Sequence, residues 1–137
     1  MKTKKILIVA SNYDNEINNG LKSYAFNQLK DQKWIKTFLI EVPGSFEIPS
    51  IIEKYIKKFD GFIALGCIIK GETNNFNLIS KSITDSLMYL SIKHKKPIGN
   101  GLITCFNKKQ ALARRKKGKE AALAVQKILS LKIKKLT

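Results

Sequence analysis

Short apolar runs alternate along this chain with longer stretches in which apolar residues return every three or four positions. The runs predict four β-strands, over residues 6–10, 36–42, 62–69 and 98–103. Because strands that alternate with helices form a parallel sheet with helices on both faces, the chain predicts an α/β fold. The expected architecture is a three-layer αβα sandwich with a four-stranded parallel sheet, flavodoxin-like in type. Residues 1–137 are expected to form a single domain, since no linker or repeat interrupts the pattern.

The helices are predicted from apolar stripes between the strands and after the last of them. Asp14 or Asn15 is a suitable N-cap for the first helix, and Pro49 is tolerated in the first turn of the second. The third helix is expected to stop before Pro97. The stripes are formed by Ile17, Leu21, Tyr24, Ala25 and Leu29; Ile48, Ile51, Ile52, Tyr55 and Ile56; Phe76, Ile79, Ile83, Leu87 and Leu90; and Ala121, Ala124, Val125 and Ile128.

Charge adds a question about partners. The chain carries 26 Lys and Arg against 10 Asp and Glu, a net charge of +16. Either these cations fill solvated helix faces, or they attract nucleic acid or another anionic ligand. The excess is greatest over residues 108–135, but the apolar stripe there predicts a packed helix rather than a disordered basic arm, so nucleic acid is not the expected partner. No apolar run approaches the roughly 18–20 residues that span a bilayer, so no membrane association is expected.

The positions of the two cysteines help to predict the cellular compartment. Cys67 lies within an apolar strand and Cys105 follows another, positions typical of reduced core thiols rather than of a disulfide. The N-terminus lacks a signal-peptide cleavage pattern. Both features favour a cytoplasmic location.

Polar and aromatic residues collect where the predicted strands end. In open α/β sheets ligands bind outside the carboxyl ends of the strands, so these segments predict a small-molecule site. The third strand ends in a glycine turn at Gly71 that opens directly into a helix, and the backbone N–H groups there form a ready anion site. The sequence holds neither a Walker lysine motif nor a GxGxxG. The four strand-end segments are residues 11–16, 43–47, 70–73 and 104–107.

Four of the chain's segments together resemble the lumazine synthase (6,7-dimethyl-8-ribityllumazine synthase) family, and the similarity covers essentially the whole chain. They are Ser-Asn-Tyr-Asp at 11–14, Val-Pro-Gly-Ser-Phe-Glu-Ile-Pro at 42–49, Leu-Gly-Cys-Ile-Ile-Lys-Gly-Glu-Thr at 65–73 and Gln-Ala-Leu-Ala-Arg at 110–114. The second and third are the most specific. The resemblance implies a transferase of riboflavin biosynthesis that condenses 5-amino-6-(D-ribitylamino)uracil with 3,4-dihydroxy-2-butanone 4-phosphate. It also implies no metal, no cofactor, and a site shared between subunits of a homo-oligomer that is at least a pentamer.

The resemblance also assigns residues. It implies that the pyrimidine stacks on Tyr13, that Ser45 and Glu47 meet the ribityl hydroxyls beside Phe46, and that Arg114 reaches the phosphate. Other readings stay open: Tyr13 as a loop plug, Glu47 as an acid at a helix start, and Arg114 as one more solvated cation. A core role is open for Cys67 as well. The remaining substrate-binding positions are Cys67, Ile68 and Ile69 along the uracil ring, Glu72 and Thr73 at the phosphate, and Lys117, which with Lys70 either adds positive potential or is merely solvated.

The chain departs from the family pattern in three places. The family's proton-transfer histidine is replaced by Asn75, which orients a substrate but does not titrate near pH 7. The only histidine, His94, lies about 28 Å further along the same helix and is expected to be a helix C-terminal residue. Asn100 takes a position where many members place an aromatic ring over the substrate. The short connection from Arg114 to Lys117 favours a pentamer or decamer over an icosahedral shell.

Two activities therefore follow from the resemblance. One is a lumazine synthase in which Asn75 and Arg114 stand at the reacting atoms and proton transfer differs from that of the family. The alternative is a non-catalytic flavin- or lumazine-binding protein of the same fold.

Overall fold

The computed structural model of the protein describes residues 2–72 and 75–137. Each strand lies within two residues of its predicted bounds, and the fold class predicted from the alternating pattern is confirmed. The elements in chain order are β1 (Lys4–Ser11), α1 (Asn15–Leu29), β2 (Ile35–Val42), α2 (Ile48–Lys54), β3 (Gly61–Ile69), α3 (Phe76–His94), β4 (Ile98–Cys105), α4 (Lys108–Ala113) and α5 (Lys117–Ser130). Two single 3₁₀ turns, Ser45–Glu47 and Lys70–Glu72, follow β2 and β3.

The sheet has the order β2-β1-β3-β4, and its strands pair in parallel throughout. The chain first moves from β1 outward to β2, then crosses back over β1 to β3 and continues outward to β4. The order therefore reverses between β1 and β3, and the crevice outside their carboxyl ends is where ligands bind in sheets of this kind.

Helices cover both faces of the sheet. On one face α1 and α5 pack over side chains such as Ile63 and Leu65, and on the other α2 and α3 pack over Phe62 and Ala64. Every residue of β3 is buried, as expected for a central parallel strand with both faces covered. This sandwich fixes where each strand ends and therefore which loops share an edge.

The helix termini follow local chemistry. Asp14 is the N-cap of α1, one of the two predicted, and its carboxylate accepts a hydrogen bond from the N–H of Ile17 at 3.2 Å. The third helix ends at His94, as predicted, where Lys95 adopts a left-handed conformation with φ of 56°. Over the described ranges, no helix combines the length and apolar character needed to cross a membrane.

The C-terminal prediction is only partly correct. α5 buries Ala121 and Val125 as expected, but Ala124 and Ile128 are exposed, and Gly118 and Ala122 are buried instead. The reason is that α5 packs against α1 as well as against β3 and β4, and the contact with α1 buries Gly118 in addition to the residues that face the sheet. The predicted packed helix also ends at Ser130, and residues 131–137 are exposed and have no regular secondary structure.

Candidate active site

The carboxyl edge of the sheet gathers most of the predicted site residues. The loop after β1 carries Tyr13, the 3₁₀ turn after β2 carries residues 45–47, and the turn after β3 carries residues 70–72. The N–H of Asn12 donates to the carbonyl of Val42 at 2.6 Å, which extends the β1–β2 pairing past the strand end and holds the first two segments together. The point between β1 and β3 at which the strand order reverses lies among these loops.

Tyr13 presents a ring that is 47% exposed, beside a well-anchored helix start. Its neighbour Asp14 caps α1 and also lies 3.1 Å from the ammonium of Lys108, at the start of α4. The hydrogen bond from Ile17 and the Lys108 cation lower the pKa of Asp14, although partial burial opposes them, and the bond to Asp14 raises the pKa of Lys108. Glu16 lies 3.4 Å from the same ammonium. These contacts connect the loop after β1 and the first turn of α1 to the start of α4, which follows β4.

The turn after β2 rests on the sheet at Gly66. Ser45 is buried, and a methyl group added at Gly66 would lie closer than 3.0 Å to its hydroxyl oxygen. Only a glycine on β3 lets this turn approach so closely. The packing directs the Ser45 hydroxyl into the sheet, while Phe46 is 66% exposed and Glu47 is half-buried. Of the three, the structure leaves the Phe46 and Glu47 side chains accessible.

The end of β3 is lined by buried residues. Cys67, Ile68 and Ile69 are all buried, and both Cys67 and Cys105 are free thiols, as predicted. Burial, aided by the neighbouring Cys105, raises the pKa of Cys67 to about 12. In the register Cys67 pairs with Ile103 and Cys105 pairs with Ile69, so the two thiols are diagonal neighbours. The two side chains interact, and both thiols are reduced. A buried, protonated thiol is inert, which favours the core role for Cys67.

The anion turn leads from β3 into α3. Lys70–Glu72 forms a 3₁₀ turn, and Asn75 occupies the N-cap position of α3, where it is exposed and its carbonyl accepts the N–H of Ile79 at 2.9 Å. Asn75 therefore stands at the carboxyl end of β3, beside the order reversal. The predicted phosphate contact at Thr73 lies outside the described residues.

The two predicted phosphate-site cations lie along the open side of β4. The guanidinium of Arg114 donates to the carbonyl of Thr104 at 3.0 Å, and the ammonium of Lys117 donates to the carbonyl of Leu102 at 2.7 Å. Arg114 is exposed, whereas Lys117 is half-buried. Burial lowers the pKa of Lys117 and the nearby Arg114 lowers it further, although Glu120 opposes both effects. The two side chains bring positive charge to the carboxyl half of β4.

Asn100 lies further back along β4 than the strand end, beside Leu102, whose carbonyl Lys117 contacts. It pairs in register with Ala64, in the first half of β4, and its side-chain oxygen accepts the N–H of Leu102 at 3.0 Å. Five residues separate it from Cys105 at the end of the strand, roughly 16 Å along β4.

The structure also shows site neighbours that sequence reasoning missed. Lys108 bridges two loops, and Arg115 donates from Nε to the carbonyl of Leu112 at 2.9 Å and from Nη1 to the carbonyl of Glu16 at 3.4 Å. Both belong to a run of cations in which nothing in the sequence marks one lysine or arginine from the next. Their partners lie more than ninety positions earlier in the chain, so only the fold reveals them.

Comparison with known proteins shows the family of the chain. The family model described as 6,7-dimethyl-8-ribityllumazine synthase matches residues 3–132. Proteins named 6,7-dimethyl-8-ribityllumazine synthase are similar to this chain: one from Buchnera aphidicola is 42% identical over 95% of this chain and 89% of its own length. Another from Bartonella henselae is 39% identical over 96% and 90%. A third, from Bdellovibrio bacteriovorus, is 34% identical over 93% and 74%. The chain belongs to the 6,7-dimethyl-8-ribityllumazine synthase family.

Proposed function

We propose that the protein is a transferase that condenses 5-amino-6-(D-ribitylamino)uracil with 3,4-dihydroxy-2-butanone 4-phosphate to form 6,7-dimethyl-8-ribityllumazine, in riboflavin biosynthesis. The observation that carries the proposal is that an exposed aromatic residue, Tyr13, and the turn after β3 follow the carboxyl ends of their strands, while Arg114 donates to the carbonyl of Thr104 near the end of β4. Lys117 lies two residues further back along the same strand, at the carbonyl of Leu102. A planar heterocycle needs the ring, and a phosphate needs the turn and the cations. Membership in the family supplies the reaction that joins two such substrates.

The pyrimidine substrate is assigned to the edge between β1 and β3. Its ring stacks on Tyr13, whose side chain is the accessible aromatic surface of the β1 loop. The backbone of residues 67–69 runs along the ring and offers N–H and C=O groups to the uracil. Glu47 accepts hydrogen bonds from the ribityl chain, since a carboxylate is an acceptor only, and Ser45 contributes through its backbone because its hydroxyl is packed against Gly66.

The phosphate of the second substrate is assigned to the turn after β3 and to Arg114. A guanidinium presents five donors in a rigid fork, and the bond to Thr104 uses one nitrogen, so the geometry is compatible with a paired contact to phosphate oxygens. Lys117 adds a second positive charge from the base of α5. Elimination of phosphate from the imine leaves a dianion, which these charges stabilise as it departs.

Proton transfer in this protein does not use a titrating side chain at Asn75. The amide orients the substrate at the N-terminus of α3, and water or the substrate phosphate carries the proton. General acid–base catalysis is typically worth about 10²–10⁴-fold, so the reaction proceeds at a reduced rate. Replacing Asn75 by His is expected to raise kcat by about tenfold or more if the position faces the reacting atoms. An unchanged kcat would show that residue 75 does not face the reacting atoms.

A homo-oligomer completes the site. The family resemblance implies a site shared between subunits, and α3 carries four exposed large apolar residues of the kind that subunit interfaces bury. α4 ends at Ala113 and α5 begins at Lys117, so the connection is short, which favours a pentamer or decamer over a shell. The particle mass in solution, from sedimentation or light scattering, distinguishes these states. The four residues are Leu78, Met88, Tyr89 and Ile92.

The decisive experiment follows formation of the fluorescent lumazine by purified full-length protein. Arg114→Ala is expected to raise KM for the phosphate substrate by about tenfold or more, because a charge-assisted hydrogen bond is worth about 1.5–3 kcal/mol. Lys109→Ala removes one charge from α4, the short helix that precedes Arg114, and is the matched control. If both variants turn over like the parent protein, the phosphate contact is wrong.

The alternative function, binding of flavin or lumazine without catalysis, rests on Asn75 at the family's histidine position. It predicts that the protein titrates with riboflavin or with the lumazine product yet forms no product from the two substrates. Turnover above the uncatalysed rate excludes it.

A further inference from the structure

Two neighbouring arginines follow α4 and take different partners. Arg114 reaches toward β4, where it donates to the Thr104 carbonyl. Arg115 turns the other way, onto the first turns of α1, where its Nη1 donates to the Glu16 carbonyl at 3.4 Å. The two side chains therefore connect the α4–α5 turn to β4 on one side and to α1 on the other.

The side chain of Arg115 packs against a glycine of α1. A methyl group added at Gly20 would overlap Cδ of Arg115 and lie 3.1 Å from both its Cγ and its Nε. The aliphatic stem of Arg115 thus lies directly over the α1 backbone, in space that any other residue at position 20 would fill. Its Nε also donates to the Leu112 carbonyl at 2.9 Å, which fixes the side chain to the end of α4.

The same turn is held close to α1 at one further point. Gly118, one residue after Lys117, packs so tightly that an added methyl group would overlap the carbonyl oxygen of Leu21. Lys117 is therefore fixed from its C-terminal side by this backbone contact, and Arg114 from its own C-terminal side by Arg115. The position of both cations relative to β4 depends on how this segment sits on α1.

We propose that Arg115 is a positioning residue that aims the Arg114 and Lys117 cations at the phosphate side of the site. The inference rests on the proposed function, because it takes that side of the site to bind a phosphate. Arg115 itself donates to carbonyls of α1 and α4. It acts by holding the side chains of Arg114 and Lys117 in position. Its loss therefore displaces these two cations but removes no group that contacts the substrate.

The test compares two single-charge removals one residue apart. Arg115→Ala is expected to raise KM for the phosphate substrate, and the inhibition constant for inorganic phosphate, about tenfold, since a displacement of about 1 Å is enough to cost up to 10²-fold. KM for the pyrimidine substrate is expected to stay within about twofold, because Tyr13 and Glu47 are untouched. Lys116→Ala, at an exposed neighbour, removes the same charge and is expected to leave all three constants unchanged.

A second variant moves Arg115 without removing a charge. Gly20→Ala adds a methyl group in the space that the aliphatic part of the Arg115 side chain occupies. It is expected to raise KM for the phosphate substrate and the inhibition constant for inorganic phosphate, and to leave KM for the pyrimidine substrate unchanged. Equal changes in both substrates' KM, or equal effects of Arg115→Ala and Lys116→Ala, would overturn the proposal. So would a lowered melting temperature with unchanged phosphate constants, which shows a structural role alone.

The outcome is separable from that of the proposed function. If the parent protein forms no lumazine, the proposed function fails, and calorimetric titration with inorganic phosphate tests Arg115 independently. Weaker phosphate binding in Arg115→Ala but not in Lys116→Ala supports positioning. Equal binding in all three proteins refutes it.

Discussion

The contact between the turn after β2 and strand β3 makes Gly66→Ala a quantitative test of the site's construction. The new methyl group would lie closer than 3.0 Å to the Ser45 hydroxyl oxygen, 3.0 Å from Cδ2 of Leu102 and 3.1 Å from the Ser11 hydroxyl oxygen. Overpacking of this kind costs about 1–3 kcal/mol. The lower entropy of the unfolded alanine chain returns about 0.4–1 kcal/mol. The expected net loss of unfolding free energy is therefore about 1–2 kcal/mol.

The worst of the three contacts is removed by a second substitution. Ser45→Ala takes away the oxygen that the new methyl group meets, and that oxygen has no hydrogen-bond partner among the described residues. Ser45→Ala alone is therefore expected to be neutral or slightly stabilising. In the Ser45→Ala background, Gly66→Ala meets only the Leu102 and Ser11 atoms, which must shift by a few tenths of an ångström. Its cost is expected to fall by about 1 kcal/mol, a coupling typical of residues in contact.

The measurement is urea unfolding of the parent protein, both single variants and the double variant. A loss of about 1–2 kcal/mol corresponds to a fall in Tm of roughly 4–8 °C for a chain of this size. Gly71→Ala is the matched control, because a methyl group there would come no closer than 3.8 Å to the Phe106 carbonyl. If Gly66→Ala costs the same with and without the Ser45 hydroxyl, the turn does not rest on Gly66 as described.

Three further predictions concern packing, pH and reactivity. Gly118→Ala places a methyl group against the backbone of Leu21, which cannot rotate away, so it is expected to cost about 3 kcal/mol or more in urea unfolding; a loss under 1 kcal/mol would contradict the α1–α5 contact. Asp14 has a lowered pKa in the folded state, so its carboxylate contributes stability that is present above its unfolded pKa and lost as the pH falls through its folded pKa. Asp14→Asn is therefore expected to be less stable than the parent protein at pH 7, with a gap that closes under acid; a gap independent of pH would exclude the ionic contribution. Cys67, with its pKa raised to about 12, is expected to resist iodoacetamide at pH 8 until urea unfolds the chain, as peptide mapping would show; fast labelling of folded protein would refute its burial.

The elements that the sequence predicted well are those set by local pattern. The four strands were found from apolar runs, because a strand covered on both faces must be apolar throughout, and β3 is buried along its whole length. The cap at Asp14 follows from a side chain that accepts a hydrogen bond three residues away. Such contacts need no knowledge of distant segments.

The predictions that failed, or that were never made, depend on segments far apart in the chain. The face of α5 was misassigned at Ala124 and Ile128, because its packing on α1 and not its own period decides which side is buried. Lys108 and Arg115 each contact Glu16 of α1, more than ninety positions earlier in the chain, and no sequence spacing reveals these contacts.

The sequence by itself thus determined the α/β alternation, the polar segments that follow the strands, and the glycine turn after β3 that leads into a helix. These follow from hydrophobic period and residue chemistry, which act over a few positions. Only the tertiary structure decided that the Ser45 hydroxyl faces the sheet, that Arg114 and Lys117 reach the carbonyls of β4, and that Arg115 seats on α1. Side-chain direction in a basic segment depends on which acceptors and backbones come within reach, and that is settled when the helices pack.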